Sequence, residues 1–491
     1  MLPRAKRAQD LSVKATKIVA TIGPASERVE IIEAMIRAGA DVFRLNFSHG
    51  SAQEHAARAR AIREAAHRVG TEVAIMGDLQ GPKIRVGKFA EGRVQLVPGA
   101  RFVLDASLPS TEPLGTAEVA ALDYAQLPQD VERGDTLVLA DGLIRLQVEA
   151  VEGPRVITVV LVGGELSNHK GINKVGGGLS APALTAKDLN DIRLAVDIGC
   201  DYLAVSFPKS AADIQTARTV LAAAGGEARL IAKIERAEAI VSEVLDAIID
   251  ASDGIMVARG DLAVEVGNAA VPALQKRMIK RARDKNRLVI TATQMMESMI
   301  SSPVPTRAEV SDVANAVLDG TDAVMLSAES AVGKYPVETV REMAAIALAA
   351  ERSMAYELDR DFINQQFVRV DQAIAMSALF TAFHLRAQAI AALSQSGSTA
   401  LWMSRHDSGV PIYALTPEVA AARRAALYRG VRPILVAPES DRDTALRAAE
   451  EALVRISAVR PGDLIVLTCG EPMGQSGGTN ALKVVRVRAS G

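Results

Sequence analysis

The chain has 491 residues, of which 49% are hydrophobic and 23% charged, and its formal net charge is -2. That length allows two to four domains, and the near-neutral charge excludes nucleic-acid binding that depends mainly on phosphate neutralisation. Two cysteines, Cys200 and Cys469, are too few for a disulfide framework. No amino-terminal signal segment and no run of about 18 apolar residues is present, so the sequence predicts a cytoplasmic protein that does not enter a membrane.

Eight short segments rich in Val, Ile and Ala recur along the chain, with amphipathic helical patterns between them. The eight segments are KIVATIG (17–23), DVFRLNF (41–47), VAIMGDL (73–79), YLAVSF (202–207), RLIAKIE (229–235), GIMVARGD (254–261), LVITATQ (288–294) and DAVMLSAE (322–329). Continuous apolar strands that alternate with helices are typical of a parallel sheet covered on both faces. Eight such units predict a closed (β/α)8 TIM barrel, in which the active site lies at the carboxyl ends of the strands.

Two further regions interrupt or follow this pattern. Helical periodicity disappears over 87–181, where alternating strands and an ADG turn signal at 140–142 predict an all-β lid inserted over the barrel mouth. A separate unit with five strand patterns predicts a C-terminal α/β effector domain over 356–491. The barrel then comprises 14–86 plus 182–355, and the fold class is α/β.

Polar residues follow the barrel strands at alternate positions. In an extended strand, residues two apart point to the same side, so five strands aim grouped polar side chains at one mouth. The groups are Arg44 with Asn46 and Ser48, Lys233 with Glu235, Arg259 with Asp261, Thr291 with Thr293, and Ser327 with Glu329.

The chemistry of these groups is restricted. Glu235 and Asp261 offer hard oxygen ligands suited to Mg²⁺ or Mn²⁺, whereas no Cys/His cluster favours zinc. Arg44, Arg85 and Lys233 are cations that favour an anionic substrate beside the metal. Both phosphoryl transfer and a metal-stabilised enolate fit this set, and the spacing does not choose between them.

Five segments of the chain resemble pyruvate kinases, and the resemblance runs from about residue 14 to the end. The segments are TKIVATIGPAS (16–26), FRLNFSHG (43–50), IAKIERAEAI (231–240), DGIMVARGDLAVEV (253–266) and TATQMMESMISSPVPTRAEVSDVANAVLDGTDAVMLSAES (291–330). The resemblance implies transfer of the phosphoryl group of phosphoenolpyruvate to ADP, giving pyruvate and ATP in the last step of glycolysis. It also implies two Mg²⁺ (or Mn²⁺) ions per active site and a homotetramer.

Two alternatives belong to other classes of protein. A barrel lyase or aldolase shares the carboxylates but has no need of an ADP site, so Arg44, His49 and Arg85 argue against it. A metabolite-sensing relative that keeps only the effector domain functional should tolerate loss of Lys233, Glu235 or Asp261, and all three are present.

The resemblance assigns roles to matching positions. The catalytic residues it implies are Lys233, Arg44, Thr293, Ser327 and Glu329. The residues that contact phosphoenolpyruvate are Arg44, Lys233, Gly260, Asp261 and Thr293. The residues that face the nucleotide are Asn46, His49, Arg85 and Lys209. The divalent metal falls to Glu235 and Asp261.

One loop departs from the potassium-activated branch of the family. Such relatives hold a monovalent cation at positions that correspond here to Asn46, Ser48, Asp78 and the carbonyl of Leu79, beside a glutamate in a GPEIR loop. The loop here reads GPKIR (81–85), with Lys83 at the glutamate position. A tethered ammonium can supply the charge of a bound ion, so we expect Lys83 to replace K⁺, Asp78 to balance it, and K⁺ not to be required.

The stretch SQSGST (394–399) leads directly into an apparent helix, where hydroxyls and backbone amides can hold a phosphate. An ordinary helix cap fits the same residues. The resemblance favours a phosphorylated allosteric effector, bound by Ser394, Ser396, Gly397, Ser398 and Thr399. It favours glucose 6-phosphate, ribose 5-phosphate or AMP over fructose 1,6-bisphosphate.

Overall fold

The first strands of the chain are fully buried and parallel. The computed structural model describes residues 14–354 and 366–488. Its first elements are β1 (Lys17–Thr21), α1 (Val29–Ala38), β2 (Val42–Asn46), α2 (Ala52–Val69) and β3 (Ala74–Asp78). Helix α2 begins with a capping box, in which Ser51 and Glu54 satisfy each other's backbone amides, and it ends at Gly70 in the left-handed conformation.

The inserted region is a β domain with its own apolar core. Its elements are β4 (Arg93–Leu96), β5 (Arg101–Asp105), β6 (Val119–Ala121), α3 (Leu127–Asp130), β7 (Thr136–Leu139), β8 (Ile144–Glu152), β9 (Arg155–Val162), β10 (Gly164–Ser167) and β11 (Ile172–Lys174). They form a six-stranded sheet in the order β11-β7-β8-β9-β5-β6 and a β10-β4 pair. The ADG signal does mark a hairpin, but Leu139 pairs with Ile144, so four residues connect β7 and β8 and not two.

The chain then returns to complete the barrel. These elements are α4 (Ala186–Asp197), β12 (Tyr202–Val205), α5 (Ala211–Ala223), β13 (Arg229–Ile234), α6 (Ser242–Ala251), β14 (Gly254–Ala258), α7 (Arg259–Val266), α8 (Val271–Asp284), β15 (Leu288–Ala292), α9 (Arg307–Leu318), β16 (Ala323–Leu326), α10 (Ala328–Ala331) and α11 (Pro336–Ser353). The eight parallel strands close in the order β1-β16-β15-β14-β13-β12-β3-β2. The predicted TIM barrel is therefore confirmed. The segment predicted as a strand over 254–261 is wrong at its end, because Arg259 and Asp261 lie in the first turn of α7.

A C-terminal α/β domain follows. Its elements are α12 (Val370–Leu385), β17 (Ala389–Leu393), α13 (Ser398–Ser404), β18 (Ile412–Thr416), α14 (Val419–Ala425), β19 (Val431–Leu435), α15 (Arg442–Arg455), β20 (Leu464–Gly470) and β21 (Thr479–Arg486). The sheet order is β19-β18-β17-β20-β21, and only β21 is antiparallel to its neighbour. The predicted boundary between 355 and 356 and the last predicted residues, 489–491, lie outside the described residues.

The C-terminal domain packs against the amino-terminal end of the barrel, away from the mouth. Tyr202 donates its hydroxyl to the carbonyl of Arg424 at 2.6 Å, and Arg405 reaches the buried carboxylate of Asp322, which directly precedes β16. Within the described residues, no helix combines the length and the apolar character that a membrane crossing needs.

Candidate active site

The centre of the barrel mouth is the ammonium group of Lys233, at the end of β13. Its Nζ lies 2.7 Å from Ser206 Oγ, 2.9 Å from Glu235 Oε1 and 3.4 Å from Asp78 Oδ1. Burial alone would lower the pKa of Lys233, but the Asp78 and Glu235 carboxylates outweigh it and hold that pKa above its ordinary value. The ammonium is therefore a permanent positive charge at the mouth.

Arg44 and Asp78 lie on the neighbouring strands β2 and β3 and form a buried ion pair. Arg44 Nε donates to Asp78 Oδ2 at 2.6 Å, and Arg44 Nη1 donates to Thr21 Oγ1 at 3.1 Å. Burial alone would raise the pKa of Asp78, yet Lys233 and Arg44 hold it below its ordinary value. One buried carboxylate thus fixes two cations at the same mouth, an arrangement that favours a highly charged anion as ligand.

Glu235 and Asp261 fit a divalent cation. Burial and the charge of Asp261 raise the pKa of Glu235 to about 7, against the lowering effect of Lys233. Glu235 Oε1 is buried and, apart from its ion pair with Lys233, has no hydrogen-bond donor among the described residues. Those residues contain no cluster of three His, Cys, Asp or Glu. A cation held by Glu235 and Asp261 would therefore need further oxygen ligands from outside the protein, as Mg²⁺ commonly does.

The amino-terminal turn of α7 faces Thr293. Thr293 has a positive φ of 66°, and its Oγ1 accepts the backbone N–H of Gly260 at 2.8 Å. The amide that the resemblance assigns to the substrate carboxylate therefore already has a partner here, which a ligand would have to displace or share.

Two residues predicted at the mouth do not point into it. Arg259 is buried and donates to the carbonyl of Gln294 at 3.2 Å and to Asp312 Oδ1 at 2.7 Å, because it opens a helix and is not in an extended strand. Thr291 is fully buried and contacts Thr321 Oγ1 at 3.0 Å. Both brace the barrel wall, so neither belongs to the group of mouth-facing side chains that the alternation predicted.

Glu329 accepts hydrogen bonds from two backbone N–H groups. Its Oε2 accepts the N–H of Ser327 at 2.7 Å and its Oε1 accepts the N–H of Met296 at 3.3 Å. The buried carboxylate therefore joins the ends of β15 and β16, and it leaves the half-buried Ser327 as the more accessible of the two.

The residues expected to face a nucleotide lie along one side of the mouth. Asn46 Oδ1 accepts the N–H of Ser48 at 3.1 Å, which shapes the turn that carries the exposed His49. Partial burial, followed by the charges of Arg85, Arg44 and Lys83, holds the pKa of His49 below its ordinary value.

Two further cations of that side contact the inserted domain. Arg85 Nη1 donates to the carbonyl of His169 at 3.0 Å, and Lys209 Nζ donates to the carbonyl of Ser180 at 3.1 Å. The predicted nucleotide side thus lies between the barrel and the β domain.

Lys83 lies close to the predicted metal ligands. Its Nζ is 3.9 Å from Asp261 Oδ1, and both side chains are about one-third exposed. We expected Asp78 to balance Lys83, but Asp78 contacts Arg44 and Lys233, and Asp261 is the carboxylate nearest to Lys83. The carbonyl of Leu79, expected in a monovalent-cation site, accepts Ser206 Oγ at 2.7 Å.

The SQSGST loop borders a cleft of the C-terminal domain. Ser394 lines a space with about 640 Å³ of empty volume, together with Gln395, Thr479 and the loop around Gly474. Ser394 Oγ also accepts the N–H of Gly397, which has a φ of 79°, at 3.0 Å.

The other predicted effector residues differ in accessibility. Ser396 and Ser398 are half-buried at the start of α13 and contact each other through their hydroxyls at 3.2 Å. Thr399 is fully buried against Thr479, with 2.7 Å between the two hydroxyls. Thr399 thus joins the loop to β21 and is not itself open to a ligand.

Sequence reasoning missed Ser206 and Phe207. Both follow β12, where Ser206 contacts Lys233 and the N–H of Phe207 donates to Glu235 Oε2 at 2.8 Å. The sequence does indicate Ser206, because its hydroxyl directly follows the apolar run YLAV (202–205). The polar residues that we assigned to the mouth follow the other barrel strands in the same way.

A closed parallel barrel whose strand ends join a lysine, an arginine and three carboxylates is typical of an enzyme that acts on an anionic substrate with a divalent cation. The comparisons with known proteins identify this enzyme as a phosphotransferase. The chain belongs to the pyruvate kinase family. The model of the family's barrel domain matches residues 13–340, and the model of its alpha/beta domain matches 372–485.

Curated relatives resemble the chain over nearly its whole length. A pyruvate kinase of Haemophilus influenzae is 52% identical over 93% of this chain and 96% of its own. Pyruvate kinase II of Salmonella typhimurium is 51% identical over 97% of this chain and 99% of its own. A pyruvate kinase of Geobacillus stearothermophilus is 43% identical over 96% of this chain and 80% of its own.

Proposed function

We propose that this protein transfers the phosphoryl group of phosphoenolpyruvate to ADP, giving pyruvate and ATP. The observation that carries the proposal is the buried cluster of Lys233, Arg44 and Asp78. It presents two fixed positive charges to one point at the mouth of the barrel. Phosphoryl transfer depends mainly on positioning and charge stabilisation, which such a preorganised pair provides.

Each reacting group has a partner at the mouth of the barrel. Arg44 holds the phosphate of phosphoenolpyruvate, and Lys233 neutralises charge on the transferring phosphoryl group and on the enolate oxygen left behind. Ser327, beside the braced Glu329, orients the water that protonates the enol carbon. The backbone amides of Gly260 and Asp261 lie in the half-buried first turn of α7. Together with Thr293, they receive the substrate carboxylate.

Glu235 and Asp261 would hold the divalent cation, and Mg²⁺ fits this donor set of two carboxylates. When bound, Mg²⁺ would supply positive charge that neutralises substrate oxygens, and the nucleotide would carry a second Mg²⁺. Asn46, His49, Arg85 and Lys209 face that nucleotide. The contacts of Arg85 and Lys209 with the β domain support a nucleotide position beneath a lid that excludes water on closure.

Lys83 supplies the positive charge that a bound potassium ion supplies in potassium-activated relatives. Its ammonium lies 3.9 Å from Asp261 Oδ1, so it adds positive charge beside the proposed metal site. Burial, Arg85 and Arg44 lower the pKa of nearby His49 more than Lys83 does, but Lys83 acts in the same direction. The carbonyl of Leu79, which the resemblance places among the potassium ligands of potassium-activated relatives, accepts a hydrogen bond from Ser206 Oγ.

The cleft beside Ser394 receives a phosphorylated effector. Ser396, Gly397 and Ser398, at the start of α13, donate hydrogen bonds to its phosphate. Thr399 anchors that loop through Thr479. The family's homotetramer is the assembly that we propose for the chain, and sedimentation analysis of the purified protein tests it.

The experiment that tests the reaction is pyruvate formation from phosphoenolpyruvate, ADP and Mg²⁺ in a potassium-free tetramethylammonium buffer, repeated with KCl. We expect wild-type protein to be equally active in both buffers, and Lys83→Glu to need KCl. Lys88→Glu, a charge reversal outside the loop, serves as the control and should behave as wild type. A wild type that requires KCl refutes the role of Lys83, whereas no pyruvate in either buffer refutes the reaction itself.

A further inference from the structure

Ser206 connects the central lysine to the loop that carries Lys83. Its side chain is 1% exposed, and its Oγ accepts a hydrogen bond from Lys233 Nζ at 2.7 Å. The same hydroxyl donates to the carbonyl of Leu79 at 2.7 Å. Leu79 is the first residue after β3, so the hydroxyl bridges two neighbouring barrel strands at their carboxyl ends.

Phe207 directly follows Ser206, and the two residues form a corner at the end of β12. The backbone conformation of Phe207 is unfavourable for a residue that has a side chain. Its φ is 54°, in the left-handed region that residues other than glycine rarely adopt. In this conformation its N–H donates to Glu235 Oε2 at 2.8 Å. Strained backbone of this kind persists where the surrounding structure holds it, commonly at functional sites.

The Lys83 loop rests directly on the corner. Gly81 has a φ of 65°, and a Cβ atom added to it would lie 2.8 Å from Ser206 Cβ and 3.1 Å from the ring of Phe207. Only a residue without a side chain allows this approach. Residues 206–207 are therefore in contact with Lys233, with Glu235 and with the loop at once.

We infer that Ser206 is a positioning residue for phosphoryl transfer, which acts by orienting the Lys233 ammonium. A lysine ammonium has three N–H donors, and its three partners here are Ser206, Glu235 and Asp78. Two of the partners are carboxylates, and Ser206 is the neutral one that holds the ammonium on the side of Leu79. This inference rests on the proposed function, because it assigns a role within that reaction.

Loss of the hydroxyl has two consequences for the site. Lys233 is left with the two carboxylates alone, so its charge is drawn toward them and away from the substrate. The carbonyl of Leu79 is left buried without its donor, which loosens the start of the loop that carries Lys83. Both effects weaken stabilisation of the transferring phosphoryl group, whereas the hydrogen bonds of Asn46, Arg85 and Lys209 on the nucleotide side do not involve Ser206.

The test is steady-state kinetics of Ser206→Ala and Ser206→Cys against wild type. We expect kcat of Ser206→Ala to fall about 10- to 100-fold, the loss typical of a slightly misplaced catalytic group, with the KM for ADP within about twofold of wild type. Cysteine has nearly the same shape and is a weak acceptor, so kcat of Ser206→Cys should lie between the other two. Ser252→Ala is the matched control, because Ser252 is equally buried and donates to the carbonyl of Ile249 at 3.2 Å, far from Lys233.

The outcomes separate this inference from the proposed reaction. Wild-type kcat in Ser206→Ala overturns the positioning role, although pyruvate formation by the wild type still supports the reaction. An equal loss of kcat in Ser206→Ala and Ser252→Ala also overturns it, because the loss then follows from a general weakening of the barrel. A wild type without activity refutes the reaction, independently of either variant.

Discussion

Lys17 is a buried lysine that the reaction does not use. It lies on β1 at the amino-terminal end of the barrel, where its Nζ donates to the carbonyl of Val431 at 2.6 Å and lies 3.7 Å from Asp41 Oδ1. Burial lowers its pKa from 10.5 to about 8, despite the opposing charge of Asp41. The folded protein therefore holds this proton less tightly than the unfolded chain does.

The free energy of unfolding should depend on pH because of Lys17. Below pH 8 both states are protonated and the folded state bears the full cost of burying the charge. Between pH 8 and 10.5 only the unfolded chain keeps the proton, so this contribution to stability rises with pH. We expect the unfolding free energy of wild type, relative to Lys17→Met, to increase by about 3 kcal/mol across that window.

The measurement is the melting temperature of wild type and of Lys17→Met from pH 7 to 10.5, taken as the difference between the two. Lys276→Met is the control, because Lys276 is an exposed helix residue paired with Asp319. Its difference from wild type should stay flat over the same range. A flat difference for Lys17→Met as well would show that Lys17 keeps its ordinary pKa in the folded protein.

The positions of residues at the mouth were predictable where the backbone rule behind the prediction held. Arg44 and Lys233 lie on extended strands, so their alternation correctly placed them at the mouth. The prediction for Arg259 was wrong because β14 ends at Ala258, three residues before the end of the predicted strand, and the chain turns directly into α7. The partners of Asp78 were not predictable either, because three cations compete for it and only their positions in space decide which two it binds.

At the scale of elements, the position of the loop over residues 79–86 depends on Gly81. Its φ of 65° and the 2.8 Å separation from Ser206 that a Cβ atom would have leave no space for a side chain. We expect Gly81→Ala to lower kcat about 10- to 100-fold, because the loop and the Ser206–Phe207 corner must move apart. Steady-state kinetics with phosphoenolpyruvate and ADP measures this effect.

Gly225→Ala separates the steric effect from backbone strain. Gly225 has a φ of 78°, and an added Cβ meets no atom within 4 Å. Both substitutions incur the left-handed conformational cost of about 1 kcal/mol, so both should lower the melting temperature slightly. Equal kcat values for the two alanine variants would show that Ser206 and the loop tolerate the displacement.

The elements themselves were largely predictable, and their ends were not. All eight barrel strands occur within the predicted segments, since fully buried parallel strands read as continuous apolar runs. Five of the eight end before the last predicted residues by two or three positions and the other three by one, because polar residues after a strand can begin a turn or a helix equally well. The β7–β8 hairpin shows the same limit, since a Gly-containing turn signal does not fix loop length.

At the scale of the whole molecule, one buried ion pair joins the barrel to the C-terminal domain. Arg405, directly after α13, is 2% exposed and donates to Asp322, whose side chain is fully buried. Asp322 also accepts the backbone N–H of Val289 at 2.9 Å and that of Arg429 at 3.2 Å. The same carboxylate therefore binds the base of the barrel and two segments of the other domain.

Removal of Arg405 should destabilise the joined structure strongly. Arg405→Met leaves the buried charge of Asp322 with backbone donors only, and breaking a buried pair in this way costs about 3–5 kcal/mol. Differential scanning calorimetry should show a lower melting temperature for the variant, and Asp322→Asn added to it should restore part of the loss, because the uncompensated charge is then gone. Arg93→Met is the control, since the pair of Arg93 with Glu165 is 68% and 57% exposed and such pairs contribute at most about 1 kcal/mol. If the Arg405 and Arg93 variants melt alike, the buried pair does not hold the two domains together, and their other contacts, such as those of Tyr202 with Arg424 and Lys17 with Val431, must do so.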